Sequence, residues 1–153
     1  MKIELAKTEI IHFIGIGGIG MSGLSLIMKA KGFKIQGSDI NLNKNVERIK
    51  KEKIKVFIGQ KKQNLKNVTI VVISSAIKKN NPEMIEAKRK NLPIISRGKM
   101  LAHIVSLTKN IVVVGSHGKT TTTSLIASIF QKTKLDPTII NGGVINSIRN
   151  TAR

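Results

Sequence analysis

Residues 11–25 read IHFIGIGGIGMSGLS. The apolar run Ile10-Ile11-His12-Phe13-Ile14 reads as a strand, and it runs straight into Gly15-Ile16-Gly17-Gly18-Ile19-Gly20. A helical pattern follows from Gly20 to Lys31, with Met21, Leu24, Ile27 and Met28 on one side and Gly32 placed to end it. The glycines fit G-x-G-x-x-G between a strand and a helix. The first permits a tight turn, the second lets backbone approach a diphosphate, and the third lets helix and strand pack closely. Gly15, Gly17, Gly18 and Gly20 are therefore candidate ligand contacts. Asp39 ends the next strand, where a dinucleotide fold places an acid. It either accepts from a ribose hydroxyl or caps local backbone.

Outward from this unit, short apolar runs alternate with helical patterns. Strands are expected at Phe33–Gly37, Ile54–Ile58, Val68–Ile73 and Leu92–Ile95, and helices at Asn43–Glu52, Pro82–Lys90 and Gly98–Leu107. Pro82 suits a first helical position. Such alternation predicts an α/β fold with a parallel sheet covered on both faces. Ser74 and Ser75 follow the most β-branched run, at the strand end where such folds bind ligands. Turn formation explains them equally well. His12 and His103 lie on apolar-patterned segments and read as ordinary core or surface histidines. Arg97 is either a phosphate partner or a solvated helix start.

A second glycine loop follows a break at Ser106–Asn110. Ile111-Val112-Val113-Val114 reads as a strand, Gly115-Ser116-His117-Gly118-Lys119-Thr120-Thr121 as a loop, and Leu125, Ile126 and Ile129 as the apolar side of a helix. A loop of this kind aims backbone N–H groups at a polyphosphate. Lys119 adds a point charge, and the Thr120 hydroxyl suits the accompanying magnesium. His117 is either a spacer or a phosphate contact. The pattern points to a nucleoside triphosphate.

Composition narrows the class. The chain has 153 residues, 41% of them hydrophobic, enough for a real core. It has no Cys, which excludes disulfides and thiolate metal sites and fits a reducing compartment. No apolar run approaches the roughly 20 residues needed to span a bilayer, and the start, MKIELAKTEI, lacks a secretory apolar stretch. No membrane insertion is expected, and a cytoplasmic protein is. Lys and Arg number 27 against 8 Asp and Glu, a net charge of +19. The basic residues are scattered, and aromatics make up only 3% without Trp or Tyr, which disfavours base-stacking platforms. The charge reads as solvated background, and no nucleic-acid partner is expected.

Five motifs occur in order: IHFIGIGGIGMSGLS (11–25), GSDI (37–40), SSAIKKNNPE (74–83), RGKML (97–101) and VGSHGKTTTTS (114–124), with NGGVINSIRNTAR (141–153) a weaker sixth. Together they resemble the amino-terminal part of the Mur ligase family of peptidoglycan synthesis, in its alanine-adding branch, over essentially the whole chain. The resemblance implies a Rossmann-like UDP-substrate domain at 1–107 and the beginning of a P-loop-type, ATP-binding central domain at 108–153. It implies UDP-N-acetylmuramate and L-alanine as substrates and ATP with Mg2+ as cofactors. The Gly15–Gly20 loop, with Asp39, Ser74 and Ser75, would serve the uridine nucleotide. Gly115, Ser116, His117, Gly118, Lys119, Thr120 and Thr121 would serve ATP, with Lys119 catalytic on the β- and γ-phosphates and Thr120 on the metal. Ser116 stands where Thr is frequent in the family. Residues matching the later parts of the family do not occur here, so this chain is expected not to form the amide bond alone. The competing readings are an NAD-dependent oxidoreductase built on the first loop and a basic nucleic-acid-binding protein.

Overall fold

The computed structural model describes residues 5–133, 137–141 and, for backbone alone, 144–147. Most of the segment 141–153 singled out above lies outside the described residues. The chain divides into two units, Met1–Thr108 and Lys109–Arg153.

In the first unit, β1 (Ile10–Ile14), β2 (Lys34–Asp39), β3 (Lys55–Ile58), β4 (Ile70–Ile73) and β5 (Ile94–Ser96) form one sheet in the order β3-β2-β1-β4-β5. Every neighbouring pair is parallel. Helices α1 (Ile19–Ala30), α2 (Lys44–Lys51), α3 (Pro82–Arg89) and α4 (Arg97–Ser106) make the crossovers and the exit from β5. A 3₁₀ turn at Lys62–Leu65 stands between β3 and β4, where no helix was expected. Strand order reverses at β1, between β2 and β4. Loops leaving the carboxyl ends of these strands flank a crevice, the usual ligand position in open α/β sheets.

Side chains alternate across a strand, so β1 sends Ile11 and Phe13 to one face and His12 and Ile14 to the other. On the first face α1 buries Met21, Leu24 and Met28, one helical stripe, and contacts α2 and α4. Each of these three burials stabilises by about 1.5–3 kcal/mol. On the second face Ile14 packs with Leu65, Val68, Val71 and Ala87, beneath α3 and the 3₁₀ turn. Helices therefore cover both faces, as the alternation requires.

Helix ends follow local chemistry. Asn43, Asn81 and Ser96 cap α2, α3 and α4, each accepting from backbone N–H groups of the first turn. Pro82 sits at the start of α3. Gly32, at φ +86°, closes α1.

The second unit departs from expectation. Helix α5 (Lys119–Gln131) forms as predicted, followed by an antiparallel pair, β6 (Thr138–Asn141) and β7 (Val144–Ser147), that the sequence reading missed. Ile111–Val114 does not form the expected strand. Three of its four side chains are exposed, 63% for Ile111, 68% for Val112 and 83% for Val114, and Val113 is half-buried. A β-branched run becomes a strand only by exchanging ladder hydrogen bonds, and no neighbour pairs with it among the described residues.

Candidate functional site

The first glycine loop hangs from the end of β2. The Ser38 carbonyl accepts from Gly15 N at 2.8 Å and Ile16 N at 2.9 Å. Gly17 N donates to Asp39 Oδ2 at 2.8 Å, and Asn41 N to Asp39 Oδ1 at 3.2 Å. The Gly17 carbonyl accepts from Asn45 Nδ2 at 2.8 Å. Asp39, expected as either ribose contact or local cap, thus holds loop backbone with both oxygens. Each oxygen keeps a second lone pair. Asn43 and Asn45 were missed as loop clamps. Asn43 was readable as a helix cap, but its proximity to Gly17 depends on how α2 packs.

Two of the glycines are required, Gly15 by conformation and Gly17 by space. Gly15 takes φ +78°, a left-handed value. A Cβ at Gly17 would come within 2.7 Å of Val46 Cγ2, 2.8 Å of Asn43 Nδ2 and 2.9 Å of Asp39 Oδ2. At Gly20 the obstacle is a side chain: a Cβ would lie 2.5 Å from Arg97 Nη1. The guanidinium therefore rests against the amino-terminal turn of α1, a neighbour that Arg97's place in the sequence did not reveal.

That turn is open. The first helical hydrogen bond of α1 is Ser22 N to the Gly18 carbonyl, 2.8 Å. Gly18 at the N-cap has no side chain to cap with, so the N–H groups of Ile19, Gly20 and Met21 receive no side-chain cap. Three donors and the positive end of a 12-residue helix, beside an arginine, suit a diphosphate. Ser74 and Ser75 line an adjoining cleft of about 160 Å³ with Ile73, Ser96, Arg97 and Gly98. Ser74 Oγ accepts from Ala76 N at 3.2 Å, so Ser74 also shapes its own turn. Gly15, Gly17, Gly18, Gly20, Asp39, Ser74, Ser75 and Arg97 all gather at the carboxyl ends of β1, β2, β4 and β5.

The second loop repeats the device. Gly118 takes φ +77° at the N-cap of α5 and offers no side-chain cap, and the first helical bond is Thr122 N to the Gly118 carbonyl, 2.9 Å. The N–H groups of Lys119, Thr120 and Thr121 face outward from the helix start. Lys119 Nζ curls back to donate to the Gly115 carbonyl at 2.5 Å and the Ser116 carbonyl at 3.1 Å. An ammonium is thus held over the bend that a polyphosphate would occupy, and Gly115–Thr121 is exposed throughout. Thr123 Oγ1 and Ser124 Oγ donate to helix carbonyls one turn back. Thr120 Oγ1 makes no such bond among the described residues.

A magnesium ion takes oxygen ligands, often one or two from protein with the rest from phosphates and water. A single exposed hydroxyl at Thr120 fits that arrangement. Among the described residues no cluster of three or more His, Asp or Glu could hold a metal by itself.

Elsewhere, basic side chains gather around one carboxylate. A larger cleft of about 380 Å³, lined by Lys62, Gln63, Lys66, Glu86, Arg89 and Lys90, shares no residue with either loop. Within it Arg89 Nε and Nη2 each donate to Glu86 at 2.8 Å. This hydrogen bonding holds the Glu86 carboxyl below its ordinary range, against desolvation that pushes it up, and raises Arg89. Among the described residues no helix is long and apolar enough to cross a membrane.

Comparison with known proteins agrees with the geometry. The chain is 75% identical over its whole length to the UDP-N-acetylmuramate–L-alanine ligase of Pelagibacter ubique, covering 33% of that protein. It is 55% identical to the same-named ligase of Rickettsia prowazekii, covering 96% of this chain and 30% of that one. The chain thus spans about a third of the length of the curated relatives it matches. Among solved structures, the UDP-N-acetylmuramate–alanine ligase of Thermotoga maritima superposes with a TM-score of 0.78 at 30% identity, over 86% of this chain and 31% of that one. The UDP-N-acetylmuramate:L-alanyl-γ-D-glutamyl-meso-diaminopimelate ligase of Neisseria meningitides gives the same score and identity over 91% and 46%. Neither the dehydrogenase reading nor the nucleic-acid reading draws support from these relatives. Residues 10–109 match the family described as "Mur ligase family, catalytic domain", and the chain belongs to the Mur ligase family.

Proposed function

We propose that this chain carries the uridine-nucleotide seat and the ATP phosphate loop of a cytoplasmic ligase that joins L-alanine to UDP-N-acetylmuramate. The domain assignment follows: residues 1–107 bind the UDP substrate, and 108–153 begin the ATP-binding domain. The observation that carries the reading is the pair of uncapped helix starts, each with three backbone donors and one cationic side chain. One cation is Arg97, at α1. The other is Lys119, at α5. The close relatives supply the substrate names.

In this reading the diphosphate of UDP-N-acetylmuramate lies against Ile19, Gly20 and Met21, with Arg97 across it and Ser74 and Ser75 at the cleft edge. The phosphates of ATP lie in the Gly115–Thr121 bend. Lys119 would leave the Gly115 and Ser116 carbonyls for the β- and γ-phosphate oxygens, and the Thr120 hydroxyl would help hold a magnesium ion, which supplies neutralisation of phosphate charge. The muramyl carboxylate takes the γ-phosphoryl group, releasing ADP, and the resulting acyl phosphate is attacked by the amine of alanine, releasing phosphate. These residues contribute positioning and charge stabilisation to the first step.

Calorimetric titration tests the two seats separately. UDP-N-acetylmuramate is expected to bind in competition with UDP, and an ATP analogue independently of it. Lys119→Ala is expected to weaken the ATP analogue by about ten- to a hundredfold, the loss of a hydrogen bond to a charged group, and to leave UDP binding unchanged. A folded chain that gives no heat with either nucleotide refutes the reading.

A further inference from the structure

Beneath the first loop lies a buried polar cluster that nucleotide binding does not use directly. His12 pairs in register with Gln36 on the adjacent strand, and Ser38 stands two residues on from Gln36 on the same face, toward α3 and the 3₁₀ turn. Glu83, in the first turn of α3, is fully buried, as are His12 and Ser38. Ser38 Oγ donates to Glu83 Oε2 at 2.5 Å, and Asn64 Nδ2 donates to Glu83 Oε1 at 2.6 Å. Gln36 Nε2 donates to the Asn64 carbonyl at 2.9 Å and faces His12 Nδ1 at 3.2 Å. An amide NH2 facing Nδ1 makes that nitrogen the acceptor, so the ring proton sits on Nε2. Nε2 lies 3.4 Å from Glu83 Oε1, close enough to pair if charged, and has no hydrogen-bond partner among the described residues.

Burying a carboxylate is costly, and a well-packed apolar group would often serve stability as well. What an apolar group could not do is hold Ser38 by its hydroxyl. The same residue offers its carbonyl to Gly15 N and Ile16 N, and the next residue, Asp39, takes Gly17 N. The first three donors of the loop therefore hang on two consecutive residues, and one of these is fastened from below by Glu83. α3 is itself fixed at this end, since Asn81 caps it and donates to Gln60 Oε1 at 2.6 Å.

We propose that Ser38 and Glu83 are positioning residues for nucleotide binding. Through the Ser38 hydroxyl, the buried carboxylate sets the peptide that carries Gly15 and Ile16, and so aims the open turn of α1. The proposal rests on the Gly15–Gly20 loop being the uridine diphosphate seat.

The test compares Ser38→Ala with Gln36→Met in the 153-residue chain. The second variant breaks the same buried layer on the His12 side and leaves Ser38 bonded. UDP affinity is measured by calorimetry, stability by thermal melting, and amide hydrogen exchange at Gly15 and Ile16 by NMR. Ser38→Ala is expected to weaken UDP at least about tenfold, the loss of about one well-aimed hydrogen bond to a charged group. It is also expected to speed exchange at Gly15 and Ile16, with affinity for an ATP analogue unchanged. Gln36→Met is expected to lower the melting temperature while leaving UDP affinity and those two amides alone. Should Ser38→Ala not fold, Glu83→Met, which fills the space but leaves the Ser38 hydroxyl nothing to bond at that position, is read the same way. Equal UDP losses in both variants, tracking lost stability, overturn the proposal, as does a Ser38→Ala chain with wild-type affinity and exchange. A folded wild-type chain that ignores UDP defeats the nucleotide assignment instead, and the exchange comparison then still decides whether Ser38 holds the loop.

Discussion

Replacing Gly20 with alanine would place a Cβ 2.5 Å from Arg97 Nη1, 3.2 Å from its Cζ and 3.3 Å from its Cδ. Real Cβ atoms do not approach this closely, so something must move. The obstructing atoms belong to a long, exposed side chain, and Arg97 can swing away at little cost to the fold. Gly20 lies inside α1 without a positive φ, where alanine is a better helix former by up to about 1 kcal/mol. The variant is therefore expected to melt at the wild-type temperature or up to about 2–4 °C above it. Ligand binding moves the other way. A hydrogen bond to a charged group contributes about 1.5–3 kcal/mol, so displacing the guanidinium should weaken UDP by about ten- to a hundredfold. Thermal melting and UDP titration on one preparation give both numbers. Arg97→Ala closes a double-mutant cycle, in which Gly20→Ala added to Arg97→Ala should cost nothing further. Wild-type UDP affinity in Gly20→Ala refutes the role given to Arg97, and a stability loss above about 2 kcal/mol refutes the claim that Arg97 yields freely.

Gly37→Ala should do the opposite. Its Cβ would lie 2.7 Å from the Phe13 carbonyl oxygen and 2.6 Å from Ile16 Cδ1, buried neighbours that cannot swing away, so urea denaturation should show a loss of about 1–3 kcal/mol or more. Glu86 supplies a pH test. Its carboxyl is held below the ordinary 4.5 by the Arg89 hydrogen bond, so the stabilisation is fully present above that value and disappears as pH falls through the lower folded value. The stability difference between wild type and Glu86→Gln should accordingly be present at pH 7 and vanish in strong acid. A difference that grows on acidification contradicts the pairing.

The sheet was legible because four of its five strands carry short apolar runs and because the glycine loop marks β1 and α1; β2, KIQGSD, is polar and was placed by the Gly32 that ends α1 before it. Expected and observed ends differ by one or two residues, where hydrogen bonding rather than pattern decides. The run at 111–114 shows the limit: its β-branched composition states a preference, but pairing needs a neighbour, and none is present among the described residues. The buried cluster escaped for another reason. Glu83 reads as an acid in the first turn of a helix, which the helix dipole favours in any protein. Only the register of β1 with β2, and the 3₁₀ turn bringing Asn64 across, reveal that it faces Ser38 and His12. Arg97 was visible as a cation, but its contact with Gly20, 77 positions earlier in the chain, depends on α4 returning to the α1 face.

In the proposed reading, the capping pattern separates helices that serve the fold from those that serve a ligand. Asn43, Asn81 and Ser96 spend a side chain on the orphan donors of α2, α3 and α4, whereas Gly18 and Gly118 leave those of α1 and α5 uncovered. Exposed donors lose little while water bonds them, and an anion that displaces the water gains the dipole as well. The two open loops are held differently, however. Ser38, Asp39 and Asn45 fasten the first from neighbouring elements, so its donors are already aimed before a ligand arrives. The second is held by Lys119 bonded to its own loop carbonyls. A triphosphate must compete for that ammonium, and the carbonyls of Gly115 and Ser116 are released as it does so. In that reading, binding at the first loop would resemble docking on a finished surface, while binding at the second would exchange an internal contact for an external one.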